Sequence, residues 1–224
     1  MPDARWRVGI VDSGLSADCT LPVSAQRRFL DTGADVIEGE PVPDTLHHGT
    51  RVARVIHSAL KPCDLYIAQA LDERGVSTAA TIAAAIRWLM SQQVQLLHLS
   101  LGLREDRAPL AQAIAAAVQA GTLVVASAPS RGAKPYPACY RGVLAATGDA
   151  RCTPEQISDL GAAYADFGGC VQCEREGLAD QRGASIGAAH VTRFIVSHLP
   201  AGIVEPQARA RLAALASFTG REQR

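Results

Sequence analysis

Three short motifs carry side chains that together could attack an acyl group. They are Asp12-Ser-Gly, His48-Gly-Thr and Gly183-Ala-Ser185, in that order along the chain. A serine hydroxyl is a weak nucleophile until a neighbouring base takes its proton, and an imidazole can be that base. A carboxylate beside the imidazole holds the required tautomer and stabilises the imidazolium. Each motif alone is as typical of a turn or a helix cap, but the set predicts nucleophilic catalysis by Ser185.

The predicted secondary structure would bring these motifs to one edge of a sheet. Apolar runs predict strands, and helical patterns between them predict crossover helices. Alternation of this kind indicates a mostly parallel sheet with helices on both faces, and ligands bind outside the carboxyl ends of such strands. Two stretches rich in Gly, Asp and Pro, 28–47 and 148–184, are expected to be irregular. The predicted strands are 7–12, 64–70, 94–101, 122–127 and 143–147, and the predicted helices are 48–60, 77–93, 108–120, 185–198 and 205–217.

Length and composition are typical of one folded unit with a sizeable core. The chain has 224 residues, 48% of them hydrophobic, and we expect a single compact domain over 1–224. Acidic and basic residues balance at 22 each, without the basic surface expected of a protein that binds nucleic acid or anionic membranes. No apolar run reaches the ~18 residues of a membrane span. The sequence therefore predicts neither nucleic acid nor a membrane as a partner.

The N-terminus and the cysteines bear on cellular location. A strand-like run begins at Trp6, and the residues before it lack the charged region, apolar region and small-residue cleavage site of a signal peptide. We therefore expect no signal peptide, no pro-domain and a cytoplasmic location. The six cysteines are then expected to be thiols. Cys170 and Cys173 have the spacing of a metal or redox site, but no second pair lies nearby in the sequence. Thiols or a facultative disulfide are favoured over a structural metal, and no cofactor is predicted.

Five segments between about residues 6 and 200 resemble the subtilase family of serine peptidases. The order Asp, His, Ser is that of subtilisin and differs from that of chymotrypsin and the α/β-hydrolases. The resemblance implies a three-layer, subtilisin-like α/β fold with a mostly parallel central sheet. The segments are Val8-Gly-Ile-Val-Asp12-Ser-Gly, His48-Gly-Thr-Arg-Val-Ala, Leu97-His-Leu-Ser100-Leu101-Gly102, Val124-Val-Ala-Ser-Ala-Pro-Ser130-Arg-Gly132 with Tyr136-Pro137-Ala138, and Gly183-Ala-Ser185-Ile-Gly-Ala-Ala-His190-Val.

The resemblance also implies roles for individual residues in a serine endopeptidase. Asp12, His48 and Ser185 would be the triad, and the substrate would be a peptide or protein bound as an extended strand. The oxyanion hole would combine the Ser185 N–H with the Ser130 side chain. The segment Leu71 to Gly75 would lie opposite the substrate-binding strand. The predicted substrate-binding residues are Ser100, Leu101 and Gly102 on one wall of the S1 pocket and Ser127, Ala128 and Pro129 on the other.

Several residues depart from the family pattern. Ala184 and Ala189 replace a usual Thr and Pro, and we expect both to be tolerable packing changes. Arg51 and Arg54 replace a usual His and Gly on the histidine helix. Ser130 stands where the family has an oxyanion-hole Asn, which touches the chemistry. The alternative function is therefore an inactive or weak subtilase scaffold that binds an extended peptide. Among active enzymes, the small size resembles subtilases of biosynthetic operons, which remove leader peptides from dedicated precursors.

Two further histidines are considered and set aside. His47 adjoins His48 and is the rival base, but the family register and the Gly-Thr that follows favour His48. His190 lies well inside the predicted helix that starts at Ser185, and we expect it to be a packed structural histidine.

Overall fold

Buried aliphatic strands form the central layer of the molecule. The computed structural model describes residues 5–172 and 183–221. The strands are β1 (Trp6–Asp12), β2 (Ala25–Asp31), β3 (Val36–Gly39), β4 (Cys63–Gln69), β5 (Leu96–Leu99), β6 (Leu123–Ser127), β7 (Val143–Gly148), β8 (Ile157–Asp159), β9 (Phe167–Gly169) and β10 (Phe218–Thr219). The helices are α1 (His48–His57), α2 (Ala79–Ser91), α3 (Ala108–Gln119), α4 (Ala184–His198) and α5 (Gln207–Leu215).

Within the described ranges the strands form one ten-stranded sheet, in the order β10-β8-β9-β7-β6-β5-β1-β4-β2-β3. Only the pairs β2–β3 and β8–β9 are antiparallel. Strands β5 and β4 flank β1 on either side, each parallel to it. The carboxyl ends of the central strands therefore lie side by side, which is where a site in such a sheet is expected.

Helices cover both faces of the sheet. The side chains of β1 alternate between two cores, with Val8 and Ile10 in one and Val11 in the other. Helices α1, α4 and α5 pack on the first face, and α2 and α3 pack on the second. Both faces of the central strands are buried, as is usual for parallel sheets. The predicted three-layer α/β architecture is confirmed.

The two stretches expected to be irregular contain strands, so that prediction was wrong in part. The first holds most of the β2–β3 hairpin, and the second holds β8 and β9. Strand β2 reads Ala-Gln-Arg-Arg-Phe-Leu-Asp and is largely half-buried near the sheet edge, so it lacks the apolar run of a central strand. Strands β8 and β9 have three residues each, which is too short for a periodic signal.

Helix α2 has a side-chain cap at its N-terminus. The Thr78 hydroxyl accepts a hydrogen bond from the backbone N–H of Thr81, 3.2 Å away.

No helix in the part of the chain that the structure describes is long and apolar enough to cross a membrane.

Candidate active site

The end of β1 and the start of α1 bring a carboxylate and an imidazole together. Asp12 is the last residue of β1 and is fully buried, and His48 is the first residue of α1. The Nδ1 atom of His48 lies 2.7 Å from Asp12 Oδ1. The imidazole remains 26% exposed, so it can be reached from outside. Asp12 and His48 thus have the arrangement of an orienting carboxylate and a base.

A glycine makes this close approach possible. A Cβ on Gly49 would lie 2.4 Å from the carbonyl oxygen of Gly14 and 3.2 Å from the Asp12 Cβ. The Ser13 hydroxyl accepts a hydrogen bond from the Gly49 N–H at 2.9 Å, and the Ser13 N–H donates to Asp12 Oδ1 at 2.7 Å. The Asp-Ser-Gly and His-Gly-Thr motifs are therefore two halves of one contact between β1 and α1.

The segment before His48 is held by Arg51, one of the departures from the family pattern. Arg51 is buried, and its guanidinium donates to the carbonyl oxygens of His47 (3.0 Å) and Leu46 (2.9 Å). His47 precedes α1 with a left-handed backbone and an exposed side chain. The carboxylate of Asp12 bonds to His48, so the geometry favours His48 over His47 as the base.

The environment of His48 favours its protonated form. Burial alone would lower its pKa, but the hydrogen bond and the negative charge of Asp12 outweigh burial and raise the pKa above its ordinary value. A raised pKa makes the imidazole a stronger base, and Asp12 stabilises the imidazolium that forms when His48 accepts a proton.

Ser185 lies in the first turn of α4. The residue before the helix, Gly183, is extended, and Ser185 is half-buried as the second helical residue. The N–H groups of a first helical turn lack intrahelical partners, so that of Ser185 is available to an oxyanion. Helix α4 can lie against the end of β7 because Gly187 has no Cβ: one would be 2.3 Å from the Thr147 carbonyl oxygen.

A buried histidine links two parts of the site, and sequence reasoning missed it. His98, on β5, is fully buried, with Nε2 2.7 Å from Ser100 Oγ and Nδ1 2.8 Å from Thr192 Oγ1. Burial, aided by the nearby charge of His48, lowers the pKa of His98 to about 3, so the ring is neutral. Thr192 lies seven residues after Ser185, about two turns along the same face of α4. The signal was a lone histidine inside an otherwise aliphatic strand.

The residues predicted to bind substrate lie at the ends of the adjacent strands β5 and β6. Ser100 and Leu101 are buried and Gly102 is exposed, while on the other side Ser127 and Ala128 are buried and Pro129 is exposed. The register pairs Leu99 with Ala126, so these two segments leave the sheet side by side.

Pro135, which sequence reasoning did not single out, packs against the first of these segments. A Cβ on Gly102 would lie 2.9 Å from the Pro135 ring. The backbones of Leu103 and Tyr136 exchange hydrogen bonds of 2.7 and 2.9 Å, which hold this proline in place. The Pro135 ring therefore lies directly against Gly102.

Ser130 is exposed on the loop after β6 and lines a cavity together with Gly148 at the end of β7. Gly148 in turn contacts the Ser185 loop, since a Cβ on it would lie 3.3 Å from the carbonyl oxygen of Gly183. Ser130 and the start of α4 thus border the same part of the surface.

His190 and Cys170 are two further residues that the sequence singled out and that the structure describes. His190 is buried on α4, with Nε2 2.9 Å from the carbonyl oxygen of Gln172, as expected for a packed structural histidine. Cys170 is a buried thiol, and Cys173 falls outside the described residues, so the spacing of this pair stays a sequence observation. In the ranges that the structure covers, no group of His, Cys, Asp or Glu side chains is arranged to hold a metal ion.

Comparisons with known proteins indicate the family of this chain. The model of the Subtilase family, Peptidase_S8, matches residues 5–197. The chain is 30% identical over 151 residues to the "Thermostable alkaline protease" of Halalkalibacterium halodurans, covering 62% of this chain and 40% of that protein. It is equally similar to "Subtilisin Savinase" of Lederbergia lenta, with 54% of that protein covered. The "Halolysin-like extracellular serine protease Nep" of Natrialba magadii is 29% identical over 154 residues, with 28% of it covered. The matches thus span about half or less of these relatives.

Proposed function

The chain belongs to the subtilase family, and we propose that it is a serine endopeptidase whose triad is Asp12, His48 and Ser185. The observation that carries the proposal is the 2.7 Å contact between Asp12 Oδ1 and His48 Nδ1, which leaves Nε2 free to act on a hydroxyl. The position of Ser185 at the start of a buried helix supports its role as the nucleophile.

The reaction follows from these positions. Ser185 Oγ forms a bond to the substrate carbonyl carbon while His48 Nε2 takes the hydroxyl proton. The imidazolium then gives that proton to the amine as the C–N bond breaks, leaving an acyl-enzyme. Water then attacks the ester carbonyl carbon while His48 Nε2 takes a proton from it. The imidazolium gives that proton to Ser185 Oγ as the ester C–O bond breaks, so that the acid is released and Ser185 is restored. Throughout, Asp12 accepts the hydrogen bond from Nδ1–H.

Charge develops on the former carbonyl oxygen, and two donors are proposed for it. One is the Ser185 N–H at the N-terminus of α4, where the helix dipole also favours negative charge. The other is the Ser130 hydroxyl, which is shorter than the usual amide. We propose that Ser130 substitutes for it directly or through a water.

The substrate is proposed to be an extended peptide that lies along Ser100 to Gly102. Backbone pairing with such a strand supplies affinity, and side-chain pockets supply specificity. The pocket for the residue before the cut is proposed to accept small side chains, because Pro129 adds a ring on one wall and Pro135 packs against Gly102 on the other.

A narrower biological role is also proposed: removal of a leader peptide from one dedicated precursor in the cytoplasm. The support is the resemblance to small subtilases of biosynthetic operons, one of which matures the crosslinked subunit of quinohemoprotein amine dehydrogenase. A restricted pocket also fits a dedicated enzyme better than a general one. The relative from Natrialba magadii is named as extracellular, so a direct localisation measurement on this protein is the relevant check.

Labelling with a fluorophosphonate probe tests the activity. The probe reacts with an activated serine, so the wild-type chain should gain the mass of one phosphonyl group on Ser185, and the Ser185→Ala variant should gain none. The alternative function, a scaffold that binds peptides without cutting them, rests on the replacement of the oxyanion Asn by Ser130. A wild-type chain that stays unlabelled would favour that alternative.

A further inference from the structure

A polar cavity of about 330 Å³ opens beside the proposed oxyanion hole. It lies between the loop after β6 and the end of β7, and it adjoins the Ser185 loop through the contact between Gly148 and Gly183. Its volume is at the small end of ligand pockets, suited to one side chain rather than a whole ligand. The lining residues are Ser130, Arg131, Gly148, Asp149, Ala150, Leu160, Tyr164, Val171 and Arg221.

The only carboxylate among these lining residues is already neutralised. Asp149 is almost fully buried, and its Oδ2 accepts a hydrogen bond of 2.7 Å from the Arg151 guanidinium and another of 2.6 Å from the Ser158 hydroxyl. Arg151 also donates to the carbonyl oxygen of Gly220 at 2.7 Å, which fixes this ion pair in the wall. The Asp149 charge is therefore largely compensated within the protein.

Two guanidinium groups line the cavity. Arg131 and Arg221 are both exposed, and neither forms an ion pair with a carboxylate of the described residues. Arg221 stacks on the Tyr164 ring, with its guanidinium carbon 5.1 Å from the ring centroid. Stacking occupies the face of the guanidinium and leaves its N–H edge free to donate.

We propose that this cavity is a subsite for a carboxylate of the substrate, bound between Arg131 and Arg221 next to the bond that is cut. The proposal rests on the proposed endopeptidase function and adds a substrate class to it, a peptide with an acidic residue beside the scissile bond. Arginine pairs with carboxylates through two parallel N–H···O bonds, which supplies direction as well as charge. The carboxylate comes from an internal Glu or Asp side chain or from a substrate C-terminus, and both have the same chemistry.

Protection of Ser185 from labelling measures this binding without requiring cleavage. The probes are alanine octapeptides, acetylated and amidated at their ends, each with one Glu or the matching Gln at a different position. A parallel set has no Glu but a free C-terminal carboxylate. Each peptide is added before the fluorophosphonate, and the concentration that halves the labelling rate is recorded for the wild-type chain, the Arg131→Gln/Arg221→Gln variant and the control Arg211→Gln, which alters an exposed arginine on α5.

At one position, the Glu peptide should protect at about a tenfold lower concentration than its Gln partner, as expected for a charge-assisted pair. The difference should shrink with added salt, disappear in the double variant and remain in Arg211→Gln. Equal protection by Glu and Gln peptides, no protection by either, or a difference that survives in the double variant would overturn the subsite. Stronger protection by the free C-terminus than by internal Glu would assign the carboxylate to the chain end. Absence of labelling without any peptide would instead count against the endopeptidase function.

Discussion

His98 and Thr192 form a buried hydrogen bond of 2.8 Å that joins strand β5 to the helix that carries Ser185. The other ring nitrogen of His98 bonds to Ser100, so one neutral imidazole connects the proposed substrate strand and the nucleophile helix. Because His98 and Thr192 are both fully buried, loss of the Thr192 hydroxyl would leave a ring nitrogen without a partner.

Thr192→Val should therefore destabilise the protein and slow the labelling of Ser185. An unsatisfied buried polar group costs about 1–3 kcal/mol of stability. A shift of α4 at the end that carries Ser185 would misplace the hydroxyl, so Ser185 should react more slowly. The matched control is Thr147→Val, since Thr147 is also buried near α4 and its hydroxyl has no hydrogen-bond partner among the described residues. Urea unfolding and labelling rates measure both effects. If the two valine variants had the same stability and the same labelling rate, the hydrogen bond between His98 and Thr192 would not support the site.

Removal of any member of the triad should nearly abolish activity. Ser185→Ala, His48→Ala and Asp12→Ala should each lower turnover by about 10⁴- to 10⁶-fold, with double variants no worse than the poorer single variant, because the three side chains act as a unit. Circular dichroism and thermal melting would check that the variants still fold. The control is His47→Ala, which should keep most of the activity. A loss in His47→Ala with retention in His48→Ala would show that the base was assigned wrongly.

Labelling of Ser185 should rise with pH as His48 loses its proton, because only the neutral imidazole can act as the base. Asp12 raises the pKa of His48, so the midpoint of the rise should lie above the ordinary value of about 6.5. In Asp12→Asn the negative charge is gone while burial remains, so the midpoint should move to lower pH and the maximal rate should fall. Labelling rates between pH 5 and 9 would be fitted for both proteins. A midpoint that does not move in Asp12→Asn would mean that Asp12 does not raise the pKa of the group that controls labelling.

The proposed S1 pocket should favour small side chains such as Ala or Ser over Phe or Tyr. Pro135→Gly removes the ring that packs against Gly102, so it should increase the relative binding of larger residues. Peptide aldehydes that differ only at this position would report the preference through their inhibition constants. The control Pro200→Ala alters an exposed proline at a different cavity, lined by Trp6 and Leu199. This variant should rank the aldehydes by inhibition constant in the same order as the wild-type chain. A wild-type preference for aromatic residues would contradict the small pocket.

The central strands could be predicted because their signals are local, and the Asp12–His48 pairing could be predicted because the two motifs match the subtilase pattern. A buried strand that ends in Asp-Ser-Gly and a helix that begins with His-Gly-Thr can each be recognised within a few residues. The hydrogen bonds of His98 could not, since Thr192 lies 94 residues away and nothing in the strand indicates which helix will supply a hydroxyl. Contact of Pro135 with Gly102 was missed for the same reason. Strands β2, β8 and β9 lacked an apolar run of useful length, and only their partners in the sheet define them.

Replacement of Ser130 tests whether its hydroxyl stabilises the oxyanion. Ser130 lies on the loop after β6, exposed beside the cavity that adjoins the Ser185 loop. If its hydroxyl donates to the oxyanion, Ser130→Ala should lower turnover at least about tenfold with little change in KM, because the bond forms only in the transition state. Loss of a complete oxyanion donor usually costs on the order of 100- to 1000-fold, and a short hydroxyl should contribute less.

Ser130→Asn is the informative partner of that variant, since it restores the longer amide of the family pattern. It should equal or exceed the wild-type rate if the hole is complete apart from the length of this side chain. Single-turnover acylation rates of Ser130→Ala, Ser130→Asn and the wild-type chain, measured with one peptide ester, isolate the chemical step from product release. Equal rates in all three proteins would mean that Ser130 does not contact the oxyanion. The Ser185 N–H would then have to stabilise the charge with a donor other than Ser130, and a low intrinsic rate would be the expected consequence.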